Sequence, residues 1–231
     1  MNRLIAIEKH PARRSTSAPL LLLALGIVAC GPMISACNII GPALVIAEGP
    51  PKTDAKVELN ADRTYIILVD DMRSRLPKRS LRDQIAQSAE EKLLEEGVLK
   101  AEHLIGARAV QRALIDDRSG KPKAISEIGR DAGANVVIYV TIDSWGITRD
   151  GRSAAPSVEG RVKLIDCDAN KRIWPPNDTG YPLRVAPSAQ QGDLPNDLAG
   201  RSKVEQDLAR RYGTAIAQLF YKHLSSTSAT K

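Results

Sequence analysis

The sequence predicts an α/β domain of the α+β variety. It should hold a mixed sheet of about four to five strands, helices packed on it in a three-layer-like arrangement, and a long C-terminal helix. Three observations predict this. TYIILV at 64–69 and VVIYVTI at 136–142 are apolar without alternation, as strands buried on both faces are. Residues 158–174 alternate and then turn back, as a hairpin with one wet face does. Between and after them, apolar residues recur every three or four positions, a spacing that places them on one side of a helix.

Residues 37–62 carry Gly41-Pro42 and Gly49-Pro50-Pro51, the composition of an extended, semi-rigid linker. The alternative for its second half is an irregular first strand packed on the domain through Val57 and Leu59. The strand at 64–69 ends in Asp70-Asp71, and a basic loop with Arg73, Arg75, Lys78 and Arg79 follows. Ser80 with Asp83 reads as an N-cap with an acidic first turn. Leu81, Ile85, Ala89 and Leu93 then repeat on one face until Gly97 ends the helix.

A second helix is expected over Leu104–Ile115, through Ala109, Ala113 and Leu114. A third, short one is expected over Ala124–Ala132, with Ile125 and Ile128 inward and Gly133 as terminator. The central strand Val136–Ile142 is closed by Trp145, and a polar loop reaches Ser157. Val158, Val162 and Leu164 share one face of the next strand, Glu159, Arg161 and Lys163 the other. Asp168–Lys171 turns the chain, Arg172-Ile173-Trp174 returns, and Tyr181–Val185 suits an edge strand. Residues 186–202 read as loop. The last helix is expected over Val204–Leu224, with Leu208, Tyr212, Ile216, Leu219 and Phe220 inward, and a disordered tail over 225–231. No internal repeat is visible.

Ahead of the domain stands APLLLLALGIVACGPMISACN, residues 18–38, behind Arg13 and Arg14. A charged start, an apolar middle and a small-residue end make an export signal. Bacterial lipoprotein signals resemble it further: their cleavage site is an aliphatic residue, two small ones and a cysteine. Ile34-Ser35-Ala36-Cys37 fits that pattern, and Ile27-Val28-Ala29-Cys30 fits nearly as well. Cleavage before Cys30 leaves an apolar core of about ten residues, a comfortable length. Cys37 is preferred as the lipidation site because Ser35-Ala36 is the smaller pair, with Cys30 the alternative. An uncleaved helix over Leu20–Ile46 could span a bilayer. Gly31-Pro32 and Gly41-Pro42 interrupt it twice, however, and proline costs about 3 kcal/mol inside a helix. Either way the domain is exported and membrane-anchored, on the reading adopted at the periplasmic face of the outer membrane.

The expected organisation is a signal peptide over 1–36, a linker over 37–62, the domain over 63–224 and the tail. The chain holds 33 Lys+Arg against 27 Asp+Glu. Arg3, Lys9, Arg13, Arg14 and Glu8 leave with the signal, so 29 cations face 26 acids and the excess falls to +3. So mild an excess, with 3% aromatic residues and export, speaks against nucleic acid as a partner. Once Cys37 is acylated and Cys30 removed, Cys167 has no partner for a disulfide and should be buried.

Chemistry has few footholds. Asp70, Asp71, Asp143, Asp166 and Asp168 fall at ends of expected strands, where carboxylates could converge on Mg²⁺ or Ca²⁺. Aspartate also starts turns and caps, and that reading is preferred, with no metal and no cofactor expected. His10, His103 and His223 are isolated, and no nucleophile elbow, zinc helix or phosphate-cradling loop occurs. Trp145 and Trp174 should cover the ends of the core. Arg73, Arg75, Lys78 and Arg79, just before a helix N-terminus, are the candidate partner- or anion-binding residues.

Two phrases carry a family resemblance. Ile128-Gly129-Arg130-Asp131-Ala132-Gly133-Ala134-Asn135 leads into VVIYVTI, and VKLIDCDANKRIW joins a strand, an acidic turn and a return ending in tryptophan. Both resemble the periplasmic α/β domain of the curli-secretion and penicillin-binding-protein-activator lipoproteins. Asn135 stands here for the usual aspartate, and Asn170-Lys171 for Thr-Gly. The resemblance covers roughly residues 64–222 and implies a lipid-anchored accessory domain that binds an envelope protein or assembles with its own copies. Pore-forming hairpins of the curli type would need long alternating segments, and none is visible between Trp145 and Ser157. The reading is therefore a non-enzymatic, membrane-anchored scaffold or regulator of an envelope assembly. The alternatives are a carboxylate- or metal-dependent hydrolase, or a small-molecule or glycan carrier.

Overall fold

The chain divides into two units, Met1–Pro51 and Lys52–Lys231, and the fold is that of the second. It is seen in a computed structural model that describes residues 51–106, 123–177, 179–186 and 192–225. Cys30 and Cys37 lie outside the described residues, as do 226–231 of the expected tail. Among the described residues no helix is long and apolar enough to cross a membrane.

A mixed sheet is the middle layer. The run at 64–69 forms β2 (Tyr65–Asp70), and the run at 136 onward forms β4 (Val136–Thr148). They pair in parallel, Tyr65 opposite Val136 through Asp70 opposite Thr141. Asn135 fixes that register: its side-chain oxygen accepts from the Thr64 amide at 2.9 Å and the Thr64 hydroxyl at 2.8 Å. β5 (Ala154–Asp166) runs back against β4. β6 (Lys171–Trp174) pairs with its end at Leu164–Asp166, and β7 (Tyr181–Val185) with its stretch Val158–Val162. A two-residue β3 (Leu104–Ile105) lies parallel on the far edge of β2. Among the described residues the sheet thus has six strands, more than expected, because β3 starts where a helix was expected. A 3₁₀ turn at Ala101–His103 delivers the chain to that edge, and pairing with β2 fixes Leu104 and Ile105 as extended. The remainder of that expected helix, 107–115, lies outside the described residues.

The helices α1 (Ser80–Glu95) and α3 (Leu198–Ala217) cover one face. Leu81, Ile85, Ala89 and Leu93 of α1, with Leu208, Tyr212 and Ile216 of α3, pack on Ile67, Val69, Ile138, Val140 and Val162. The other face carries Ile66, Val137, Tyr139 and Cys167 beneath Ile128 of the short α2 (Ile125–Asp131). Strands covered on both faces explain why the two apolar runs lack alternation. Cys167 is buried, as expected, and burial, with the charges of Asp166 and Asp168, pushes its thiol up to about 11.

α1 and α3 are parallel. Lys78, before α1, reaches Ser202 and Glu205; the middle of α1 meets Gly213; and Lys92 and Glu96 approach Tyr221. A Cβ on Gly213 would come within 2.5 Å of the Ile85 carbonyl oxygen, so the helix backbones nearly touch.

Several boundaries differ from expectation. Ser80 is no N-cap: the turn starts earlier, the Leu81 amide donating to the Lys78 carbonyl, so Arg79 occupies the cap without a side-chain bond. α3 starts at Leu198 rather than 204, because the Asp197 carboxylate caps it by accepting from the Gly200 amide. It also stops at Ala217, and His223–Leu224 (β8) pair with Lys52–Thr53 (β1). The Lys56 amide donates to the Leu219 carbonyl at 2.7 Å, and Val57 and Leu59 lean on the main core. From Lys52 onward the stretch expected as linker is therefore part of the fold. β4 and β5 shorten the loop expected between Trp145 and Ser157 to 149–153. A bulge between Ile142 and Ser144 turns Trp145 back onto the main core.

Candidate binding face

The basic loop is a shaped turn. Asp71 is 7% exposed, and its two carboxylate oxygens accept from the Arg75 amide at 2.7 Å and the Leu76 amide at 3.0 Å. Its carbonyl accepts from Ser74, which takes a left-handed φ of 50°. Buried Leu76 plugs the loop onto the core. With backbone and carboxylate turned inward, Met72, Arg73, Arg75, Lys78 and Arg79 are left exposed.

The four cations singled out by the sequence do not play one role. Lys78 donates through Nζ to Ser202 Oγ and Glu205 Oε2, both at 3.0 Å, latching the loop to α3. Among the described residues, Arg73, Arg75 and Arg79 face no carboxylate partner. The latch brings in residues that sequence reasoning missed. Leu198 at the start of α3 is 86% exposed, and Arg201 and Lys203 are exposed beside it. Their signal was the Asp197 cap, hidden in a stretch of Pro, Gly and Ser that reads as loop. Because α1 and α3 are parallel, the positive ends of both helix dipoles add to this pole.

The five aspartates are dispersed. Asp70 accepts from the Tyr139 hydroxyl at 2.5 Å, Asp71 holds the loop, and Asp143 pairs with Arg161 at 3.2 Å. Asp166 and Asp168 lie at the other end of the sheet. There the Ala169 amide, followed by the Arg63 guanidinium at 2.8 Å, holds Asp166 below the usual carboxylate range. Burial first, then the Asp70 hydrogen bond and charge, push the Tyr139 phenol well up. Among the described residues no three His, Cys, Asp or Glu side chains are placed to share a metal ion. His103 lies beside Glu102, and His223 meets the Tyr221 carbonyl. Trp145 and Trp174 pack against the core, Trp174 stacked on Tyr181 with centroids 5.0 Å apart.

Behind the loop a cavity of about 490 Å³ opens between α1 and α2, lined by Leu68, Asp70, Met72, Arg82, Ile125 and Tyr139. Its size is that of a small-molecule pocket.

No protein-family model matches the chain, and no curated protein matches it in sequence. Among solved structures it is similar to the PelC dodecamer from Paraburkholderia phytofirmans. The identity is 13%, over 74% of this chain and 97% of that one, with a TM-score of 0.40. It is similar to lipoprotein GNA1162 from Neisseria meningitidis at 12% identity, over 64% and 96% of the two chains, with a TM-score of 0.38. The C-terminal domain of LpoB from Salmonella enterica gives 15% identity over 63% and 90%, with a TM-score of 0.35. Bacterial lipoproteins are thus among the solved structures that this chain is similar to.

Proposed function

We propose that this chain is an exported lipoprotein, acylated at Cys37 with Cys30 the alternative, that works by binding rather than turnover. It acts as a scaffold or regulator of an envelope protein assembly, at the periplasmic face of the outer membrane, and its basic pole meets an acidic surface. The observation that carries this reading is the loop itself. Asp71 and the Lys78 latch fix its backbone, while three arginines without carboxylate partners among the described residues point to solvent. A fixed turn presenting unpaired guanidinium groups is built for recognition, since arginine pairs acidic oxygens in a planar fork.

Replacing Arg73, Arg75 and Arg79 together by serine, with the Lys78 latch kept, should leave the fold intact, since exposed charges contribute little to stability. Recovery of envelope partners by crosslinking pull-down from native membranes should fall severalfold, and more steeply at low salt. Unchanged recovery would remove the loop from the contact. The anchor is checked separately: intact mass should show a mature chain that begins at an acylated Cys37. A free N-terminus elsewhere, or an acylated Cys30, refutes that assignment. The cavity behind the loop is the observation that favours a second reading, a small-molecule carrier.

A further inference from the structure

We infer that the acidic surface met by the basic pole is the anionic headgroup layer of a bilayer, with Met72 and Leu198 inserting between the lipids. This rests on the membrane attachment proposed above and identifies the surface that the loop recognises. Seating on the bilayer orients the domain toward its envelope partners, so loss of the loop lowers their recovery indirectly.

The pole is composite. The loop 72–79 and the first turns of α3 are one surface because Lys78 bridges to Ser202 and Glu205. Met72 and Leu198, at 85% and 86% exposure, are the most exposed large apolar side chains among the described residues, and both stand on this surface. The others, Leu94, Ile173 and Leu224, are 39–56% exposed and lie elsewhere. Exposed cations follow each one in the chain, Arg73, Arg75 and Arg79 after Met72 and Arg201 and Lys203 after Leu198. The local acids are largely engaged. Asp71 is buried on two amides, Glu205 is neutralised by Lys78, and Asp197 caps α3.

This pattern fits a lipid surface better than a protein. A protein interface centres on apolar anchors seated in pockets, with charges at the rim. Here single apolar side chains protrude almost fully, with exposed cationic residues close to each in the chain. That is the arrangement in which apolar tips sink to the acyl boundary while guanidinium and ammonium groups stay at the phosphates. The tether permits it. Lys52 enters the domain at the opposite pole, and α3, with 20 residues, is about 30 Å long. The 15 residues from Cys37 to Pro51 reach at most about 50 Å, enough to lay the basic pole on the leaflet that holds the anchor.

The test uses the mature, acylated protein in vesicles. A Met72→Cys variant takes an environment-sensitive fluorophore, Cys167 being buried, and wild-type protein treated alike gives the background. In vesicles containing phosphatidylglycerol the label should shift to the blue and become accessible to a lipid-phase quencher. It should do neither in pure phosphatidylcholine, and the shift should be lost at about 0.5 M salt, where the Debye length shrinks below 5 Å. A label at Ile173→Cys should not respond, and adding Leu198→Ser should weaken the response at position 72. Equal emission in both vesicles overturns the proposal. So does a response to soluble polyglutamate without one to anionic vesicles, which would point to a protein partner instead. Either failure leaves the pull-down of the loop variant to judge the scaffold reading on its own.

Discussion

Replacing Tyr212 by alanine is expected to cost about 3–5 kcal/mol, enough to unfold much of a marginally stable domain. Tyr212 is fully buried at the centre of the helix layer, packed between α1 and the sheet. Removing its ring leaves a cavity that two helices in backbone contact at Gly213 cannot close. The hydroxyl is another matter. It is buried and has no hydrogen-bond partner among the described residues, and burial, with the charge of Asp143, pushes its pKa well up. An unpaired buried hydroxyl is a cost that phenylalanine removes. Tyr212→Phe should therefore match or exceed wild type in urea unfolding while Tyr212→Ala fails. Equal losses in both variants would mean that the hydroxyl is paired after all.

Gly160→Val is the second large effect, expected at about 3 kcal/mol, the upper end for overpacking a core. Gly160 lies in β5 opposite Ile142, next to the bulge, and any Cβ there would collide with the Thr141 carbonyl oxygen and the Tyr212 hydroxyl. Backbone cannot yield as a flexible side chain does. Combining Gly160→Val with Tyr212→Phe should thus restore only part of the loss, with a measurable coupling between the sites. A Gly160→Ala variant that melts with wild type would show that the contact does not exist.

The central strands could be read in the sequence because burial on both faces removes alternation, and α1 because four apolar residues mark one stripe. β4 beyond Ile142 could not, since the bulge breaks the alternation and sets Asp143, Ser144 and Gly146 among the apolar residues. β3 is two residues long and is extended only because β2 pairs with it, which no local preference reveals. The start of α3 was masked by Pro195, Gly200 and Ser202, residues that favour loops, although Asp197 caps it. The basic loop was legible as a cluster of charge. Its division of labour was not, because the partner of Lys78 is 127 residues away. Pairing at that distance belongs to the tertiary fold.

The clasp of β1 on β8 has a mechanical consequence. A pull on the chain ahead of the domain arrives at Lys52, and the first bonds it loads are a ladder only two residue pairs long. Behind these come the Lys56 and Val57 amides on one Leu219 carbonyl and the packing of Val57 and Leu59. Then come the bonds of Arg63 to Asp166 and of Thr64 to Asn135. The ladder should peel pair by pair rather than shear as a block. The 11 residues from Lys52 to Asp62 would then extend to at most about 38 Å before Arg63 and the sheet bear load. In an optical trap this would register as an early low-force extension, absent if the domain ruptures in one step. Such a leash would lengthen under strain while the domain at its end stays folded.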